Sequence, residues 1–67
     1  MHPLAKKLGT RIRELRKKEK VTSEKFAYEN GISKGYLSDI ENGKRLPTLE
    51  MLDKIAKALG VPLRELF

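Results

Sequence analysis

Apolar residues recur along the first part of the chain with the period of an α-helix. Leu4, Leu8, Ile12 and Leu15 follow one another at intervals of four, four and three residues. At about 3.6 residues per turn, this spacing brings all four side chains onto one face of a helix. The pattern therefore predicts an amphipathic helix over residues 3–18, with these four leucine and isoleucine side chains buried.

The rest of the chain contains three further apolar segments, each bounded by a helix start signal and a helix stop signal. A serine or threonine, which can cap a helix N-terminus, precedes each segment, and a glycine, which readily adopts the left-handed conformation at a helix C-terminus, follows it. The predicted helices span residues 23–30, 34–42 and 49–59. Their caps are Thr22, Ser33 and Thr48, and their stops are Gly31, Gly43 and Gly60. Their inward-facing residues are Phe26, Ala27, Leu37, Ile40, Leu49, Leu52, Ile55, Ala56 and Leu59.

A last helical turn is predicted after Pro62, ending in Leu66 and Phe67. No segment alternates between apolar and polar residues as a half-buried strand would. A chain of 67 residues is also too short for two hydrophobic cores. The sequence therefore predicts an all-α fold of five short helices, with residues 1–67 forming a single domain.

Gly9 lies inside the first predicted helix, where glycine is unfavourable. In a helix interior it is about 1 kcal/mol less favourable than alanine. We therefore expect another helix to cross the first one closely at this position, where a side chain would not fit.

The second and third predicted helices have the pattern of a helix-turn-helix unit. Ala27 is small enough to let the two helices approach, and Gly31 permits a sharp turn between them. Ile32, Leu37 and Ile40 are spaced to seat the third helix on the core. In such a unit the second of the two helices enters the major groove of DNA. A plain helical bundle without DNA-binding activity is the alternative interpretation.

The charge distribution also favours a polyanionic partner. The formal net charge is +6, and residues 1–20 carry eight basic and two acidic residues, so this segment accounts for all of it. A basic segment beside a neutral body suggests binding to nucleic acid or to an anionic membrane. The membrane is disfavoured because the apolar face of the first helix is needed for the core. The other alternative is a solvated helix face, and Lys6, Lys7 and Arg11 are expected to form one.

Composition argues against an enzyme. The chain has no cysteine and a single histidine, His2, which leaves no thiolate metal site, no cysteine nucleophile and no histidine cluster. No apolar run approaches the roughly 18–20 residues of a membrane span, and no apolar stretch follows Lys6 and Lys7 as in a signal peptide. We expect a cytoplasmic protein with no metal, no cofactor, no small-molecule substrate and no membrane partner.

The string GISKGYLSDIENGKRLP over residues 31–47 resembles the phage-repressor-like helix-turn-helix family, also called Cro/C1-type or XRE. The flanking strings RIRELR, over residues 11–16, and LDKIAKALGVPL, over residues 52–63, agree with it. The resemblance covers about residues 8–67. It implies a lambda-repressor-like domain that binds double-stranded operator DNA, commonly as a homodimer on an inverted repeat. The implied function is transcriptional regulation, with repression as the default. An antitoxin or adaptor whose main partner is another protein is the alternative.

The resemblance also implies which residues contact DNA. The base-reading positions fall on Lys34, Gly35, Tyr36, Ser38 and Asp39. A lysine can donate to guanine, a serine can pair with several bases, and an aspartate can accept from the cytosine amino group. Tyr36 could instead pack against the preceding turn, and Asp39 could instead be solvated or paired within the protein.

Further residues are expected to position the domain on the phosphate backbone, without reading sequence. The candidates are Thr22, Ser23, Asn42, Lys44 and Arg45. The family usually has glutamine at the position of Ser23, and a serine hydroxyl reaches less far. By resemblance, Arg16 and Glu41 form a partly buried structural ion pair that ties the first helix to the end of the third. Two unrelated surface charges are the alternative.

Overall fold

The computed structural model describes residues 2–67, and its secondary structure there is entirely helical. It has four α-helices and one 3₁₀ helix: α1 (Pro3–Lys18), α2 (Ser23–Glu29), α3 (Lys34–Glu41), α4 (Leu49–Leu59) and the 3₁₀ helix Leu63–Leu66. The predicted all-α class is confirmed. The fifth element is a 3₁₀ helix because its hydrogen bonds span three residues, as in the 2.9 Å bond from the Glu65 N–H to the Pro62 carbonyl.

The start of each of the three later α-helices is set by the hydroxyl cap that precedes it. Thr22, Ser33 and Thr48 each accept a hydrogen bond from the backbone N–H three residues later, at 3.0–3.1 Å. These bonds satisfy amide groups that have no partner inside the helix. The three predicted caps are therefore confirmed, and α4 ends as predicted at Gly60, which is left-handed with a φ of 74°.

The helices enclose one aliphatic core with a single aromatic ring, that of Phe26. The buried residues that form it are Leu8, Ile12, Leu15, Phe26, Ala27, Ile32, Leu37, Ile40, Leu52, Ile55, Ala56, Leu59 and Leu66. Two residues that the periodicity placed in the core are outside it, because Leu4 is 40% exposed and Leu49 is 67% exposed. Both lie in the first turn of a helix, and helical side chains tilt toward the N-terminus, beyond the packed layer. Ala5 is buried at the start of α1 instead.

Gly9 is the point at which α1 crosses α3. A Cβ atom at this position would collide with the carbonyl oxygen of Ile40 and lie 2.9 Å from that of Glu41. The predicted close crossing is therefore confirmed, and it joins α1 to the last turn of α3. This contact sets how α3 is held against the body of the protein.

The turn between α2 and α3 is short and hydrogen-bonded. Gly31 adopts a φ of 63°, in the left-handed region that glycine accepts without strain. The Ile32 N–H then donates to the Ala27 carbonyl at 2.9 Å, and the side chains of both residues are buried. The two helices are thereby fixed as a helix-turn-helix unit, as predicted.

Candidate nucleic-acid interface

Helix α3 has one buried face and one outward face. Leu37 and Ile40 are completely buried. On the other side, the side chains of Lys34, Ser38 and Asn42 are exposed, Gly35 leaves the backbone open, and Tyr36 and Asp39 are half-buried at the edges. The predicted base-reading residues therefore lie on the outward side of one helix or at its edges.

The end of α3 is attached to α1 by an ion pair between Arg16 and Glu41. The Arg16 guanidinium donates from Nε to Oε2 at 2.7 Å and from Nη2 to Oε1 at 2.9 Å. The two residues are only 7% and 5% exposed, and the remaining terminal nitrogen of Arg16 donates to the Val21 carbonyl at 2.7 Å. The hydrogen bond to Glu41 raises the pKa of Arg16, while burial acts in the opposite direction. The pair is thus bidentate, and its guanidinium remains protonated.

A second arginine of α1, Arg13, was not singled out from the sequence and also contacts the end of α3. Its Nη2 donates to Asn42 Oδ1 at 2.6 Å, and its Nε lies 3.5 Å from Glu41 Oε1. Asn42 in turn donates from Nδ2 to Ser38 Oγ at 3.3 Å. The only signal in the sequence is that Arg13 precedes Arg16 by three residues, which places the two on neighbouring positions of one helix face.

Two candidate DNA contacts lie together: Tyr36, in the first half of α3, and Arg45, in the loop that follows the helix. The Arg45 guanidinium carbon is 5.2 Å from the centre of the Tyr36 ring, within the range of a cation–π interaction. Tyr36 also packs on the edge of the core. The ring therefore packs at the edge of the core and supports an exposed basic side chain from the loop after α3.

Two other basic residues, Lys34 and Arg11, form surface ion pairs. Lys34 Nζ lies 3.5 Å from Glu24 Oε1, and both side chains are exposed. Arg11 Nε donates to the Glu65 carbonyl at 2.8 Å, so α1 is tied to the 3₁₀ helix. Arg11 is therefore only partly solvated, because the last helical turn folds back onto that face of α1.

The candidate phosphate contacts lie at the two ends of the helix-turn-helix unit. Thr22 and Ser23 are at the start of α2, whereas Asn42, Lys44 and Arg45 follow α3. Four of them are exposed, and Ser23 is half-buried. Thr22 uses its oxygen to accept the cap hydrogen bond, which leaves its hydroxyl proton free to be donated.

No group of three or more potential metal ligands occurs within residues 2–67. No helix in that range is long and apolar enough to cross a membrane. A surface groove of about 500 Å³ lies along α1 near Phe67, and none of its residues belongs to α3.

Comparison with known proteins identifies the family. The helix-turn-helix family HTH_3 matches residues 12–66. The control protein C.MunI of Mycoplasma sp is 40% identical over 68 residues, which cover 100% of this chain and 92% of that relative. These matches span most of the chain, including α2, the turn and α3.

Solved structures agree in fold. The restriction-modification controller protein C.AhdI from Aeromonas hydrophila superposes with a TM-score of 0.89 at 36% identity, covering 94% of this chain and 96% of that one. The controller protein C.Esp1396I, solved as a tetramer in complex with its natural 35 base-pair operator, gives a TM-score of 0.84 at 27% identity, with coverages of 98% and 97%. The chain therefore belongs to the HTH_3 helix-turn-helix family of DNA-binding transcriptional regulators, which are not enzymes.

Proposed function

We propose that this single domain binds an inverted-repeat operator as a homodimer, with α3 in the major groove, and regulates transcription. Repression is the default mode, because a protein bound over a promoter excludes polymerase without any further contact. The observation that carries the proposal is the two-sided character of α3. Leu37 and Ile40 are fully buried, while the opposite side presents polar side chains and an open backbone at Gly35.

Sequence reading is assigned to Lys34, Gly35, Tyr36, Ser38 and Asp39. Lys34 can donate to guanine O6 and N7 once it leaves Glu24, an exposed pair of the kind that contributes little to stability. Gly35 has no heavy atom within 4 Å of where a Cβ would be, so the groove wall can approach the backbone there. Asp39 suits a cytosine amino group.

Contacts with the phosphate backbone of DNA, which position the domain, are assigned to five residues: Thr22, Ser23, Asn42, Lys44 and Arg45. They flank α3 at both ends, so phosphate contacts there would fix its depth and register in the groove. Arg45 is held by the Tyr36 ring, which limits the freedom it loses on binding.

Two copies are needed because one domain of this size covers about one half-site. Half-sites of a dimeric helix-turn-helix protein lie about 34–36 Å apart on one side of the duplex. The relative C.Esp1396I, assembled on its operator, supports this assignment. The same proposal assigns the protein to the cytoplasm, where such operators are found.

Binding selection from a random duplex library, followed by titration against salt, tests this function. We expect an inverted repeat bound at least about 10³-fold more tightly than random DNA. The logarithm of the binding constant should fall linearly with the logarithm of salt concentration, with a slope of about −0.9 per phosphate contacted. A shallow slope without sequence preference would instead favour the antitoxin or adaptor alternative.

The same assay distinguishes base-reading residues from phosphate-contacting residues, because their alanine variants should change binding in different ways. Lys34→Ala and Ser38→Ala should each relax preference at particular base pairs. Lys44→Ala and Arg45→Ala should weaken binding to all sequences alike. Identical behaviour of the four variants would contradict this division of roles.

A further inference from the structure

A chain of side-chain hydrogen bonds runs from α1 to the outward side of α3. Arg13 Nη2 donates to Asn42 Oδ1 at 2.6 Å, and Asn42 Nδ2 donates to Ser38 Oγ at 3.3 Å. Of these three residues, only Ser38 is a proposed base reader. Arg13 is therefore linked to the DNA-facing side of α3 through Asn42.

The direction of these hydrogen bonds is fixed by the arginine. A guanidinium group has only donors, so the amide of Asn42 must turn its oxygen toward Arg13. Its NH₂ group, which has no acceptor capacity, then faces Ser38. The Ser38 oxygen must accept this bond, and its single proton points elsewhere. Within residues 2–67 the Ser38 hydroxyl donates to no protein acceptor.

Arg13 is itself held in place by the buried end of α3. Its Nε lies 3.5 Å from Glu41 Oε1, and Glu41 is locked by its bidentate pair with Arg16. The guanidinium of Arg13 thus lies between a buried carboxylate and the Asn42 amide oxygen. The donor and acceptor roles of Arg13, Asn42 and Ser38 are consequently fixed by contacts inside the protein, before any DNA is present.

We propose that Arg13 is a positioning residue that, through Asn42, makes Ser38 a hydrogen-bond donor to DNA. A serine hydroxyl alone can donate or accept and so discriminates poorly among bases. With one of its two lone pairs occupied by Asn42 and its proton free, Ser38 favours bases that present only acceptors in the major groove, namely guanine or thymine. Cytosine, which presents its amino donor, is disfavoured at that position. This inference rests on the proposed function, because it concerns how Ser38 reads a base.

The experiment is a random-library binding selection with the wild type and four variants. Ser38→Ala identifies the base-pair position that Ser38 reads. At that position the wild type should prefer guanine or thymine over cytosine by about five- to tenfold. Arg13→Met removes the fixed donor but keeps the side-chain stem, so this preference should fall below about twofold while preferences at other positions remain.

Asn42→Asp gives the most specific test, because it should reverse the direction of the hydrogen bond between residue 42 and Ser38. A carboxylate would accept from both Arg13 and Ser38, so the serine proton would turn inward and its lone pairs would face the groove. The preferred base should change to one with an amino donor, cytosine or adenine. The added negative charge weakens binding to every sequence, but a uniform loss cancels in the ratio between bases.

Lys7→Met is the matched control, since Lys7 is an exposed residue of the same helix and the substitution removes the same charge. It should keep the wild-type base ratio at the Ser38 position. Thermal unfolding of each variant checks that the fold is intact.

A cytosine preference in the wild type, or an unchanged ratio in Arg13→Met, overturns the inference and leaves the proposed function standing. The inference is also overturned, with the proposed function still standing, if Ser38→Ala alters the base preference at no position of the selected sequence. If the wild type selects no sequence at all, the proposed function fails, and the inference fails with it.

Discussion

Arg16 and Glu41 are 25 residues apart in sequence but meet through two hydrogen bonds of 2.7 and 2.9 Å in the interior of the protein. Removing one partner of a buried ion pair leaves the other charge without compensation. We expect Glu41→Gln to lower the free energy of unfolding by about 3–5 kcal/mol. Asp39→Asn, on the half-buried edge of the same helix, should change it by no more than about 0.5 kcal/mol. Urea denaturation measures both, and equal midpoints would show that the pair contributes nothing to stability.

The crossing of α1 and α3 gives a second prediction about stability. Gly9→Ala should destabilise the protein by about 1–3 kcal/mol, because the new methyl group collides with the Ile40 carbonyl and the helices must separate. Gly35→Ala is the matched control, since nothing lies within 4 Å of its added Cβ. It should stabilise the protein by up to about 1 kcal/mol through helix propensity alone. Thermal unfolding midpoints that shift in the same direction for both variants would contradict the close crossing.

Local signals in the sequence were sufficient for most of the helix boundaries. A cap such as Ser33 acts on the N–H group three residues later, so its effect depends on neighbouring residues only. The turn at Gly31 is local for the same reason. The burial that the periodicity predicted was wrong at Leu4 and Leu49. The periodicity identifies which face of a helix is apolar, but it does not show how much of the helix length is covered by neighbouring elements.

Contacts between distant segments could not be derived in this way. The spacing of residues in α1 does not show that Arg13 meets Asn42 or that Arg11 meets Glu65, because both contacts depend on how whole helices pack. The partnership of Arg16 with Glu41 came from family resemblance and not from any pattern in the residues. The base-reading residues were likewise assigned by resemblance, whereas the phosphate contacts were proposed from their positions at the two ends of the helix-turn-helix unit. The structure adds how α3 is held and how Asn42 and Ser38 are connected.

Salt dependence tests whether the loop after α3 contacts phosphate. Lys44→Ala should weaken binding to all sequences and reduce the steepness of the salt plot by about 0.9, the value for one phosphate contact. Lys57→Ala removes the same charge from α4, where Lys57 pairs with Asp53 at 3.1 Å and is not a proposed DNA contact. It should leave the slope unchanged. Equal slope changes in the two variants would mean that net charge, and not a specific contact, governs the binding.

Two serines of the helix-turn-helix unit should separate structural and functional roles. Ser33 caps α3 by accepting from the Tyr36 N–H at 3.0 Å, so Ser33→Ala should cost about 1 kcal/mol of stability. In a domain of this size that lowers the unfolding midpoint by about 4–8 °C. Ser38 is exposed, and its side chain bonds only to Asn42 in the described chain, so Ser38→Ala should change stability by less than about 0.5 kcal/mol.

In binding selections at a temperature where both variants are folded, the larger effect should instead come from Ser38→Ala. This variant loses discrimination at one base pair, whereas Ser33→Ala keeps the wild-type preferences. If Ser33→Ala instead altered the selected sequence while Ser38→Ala lowered the melting temperature, the assignment of α3's outward side to base reading would be wrong.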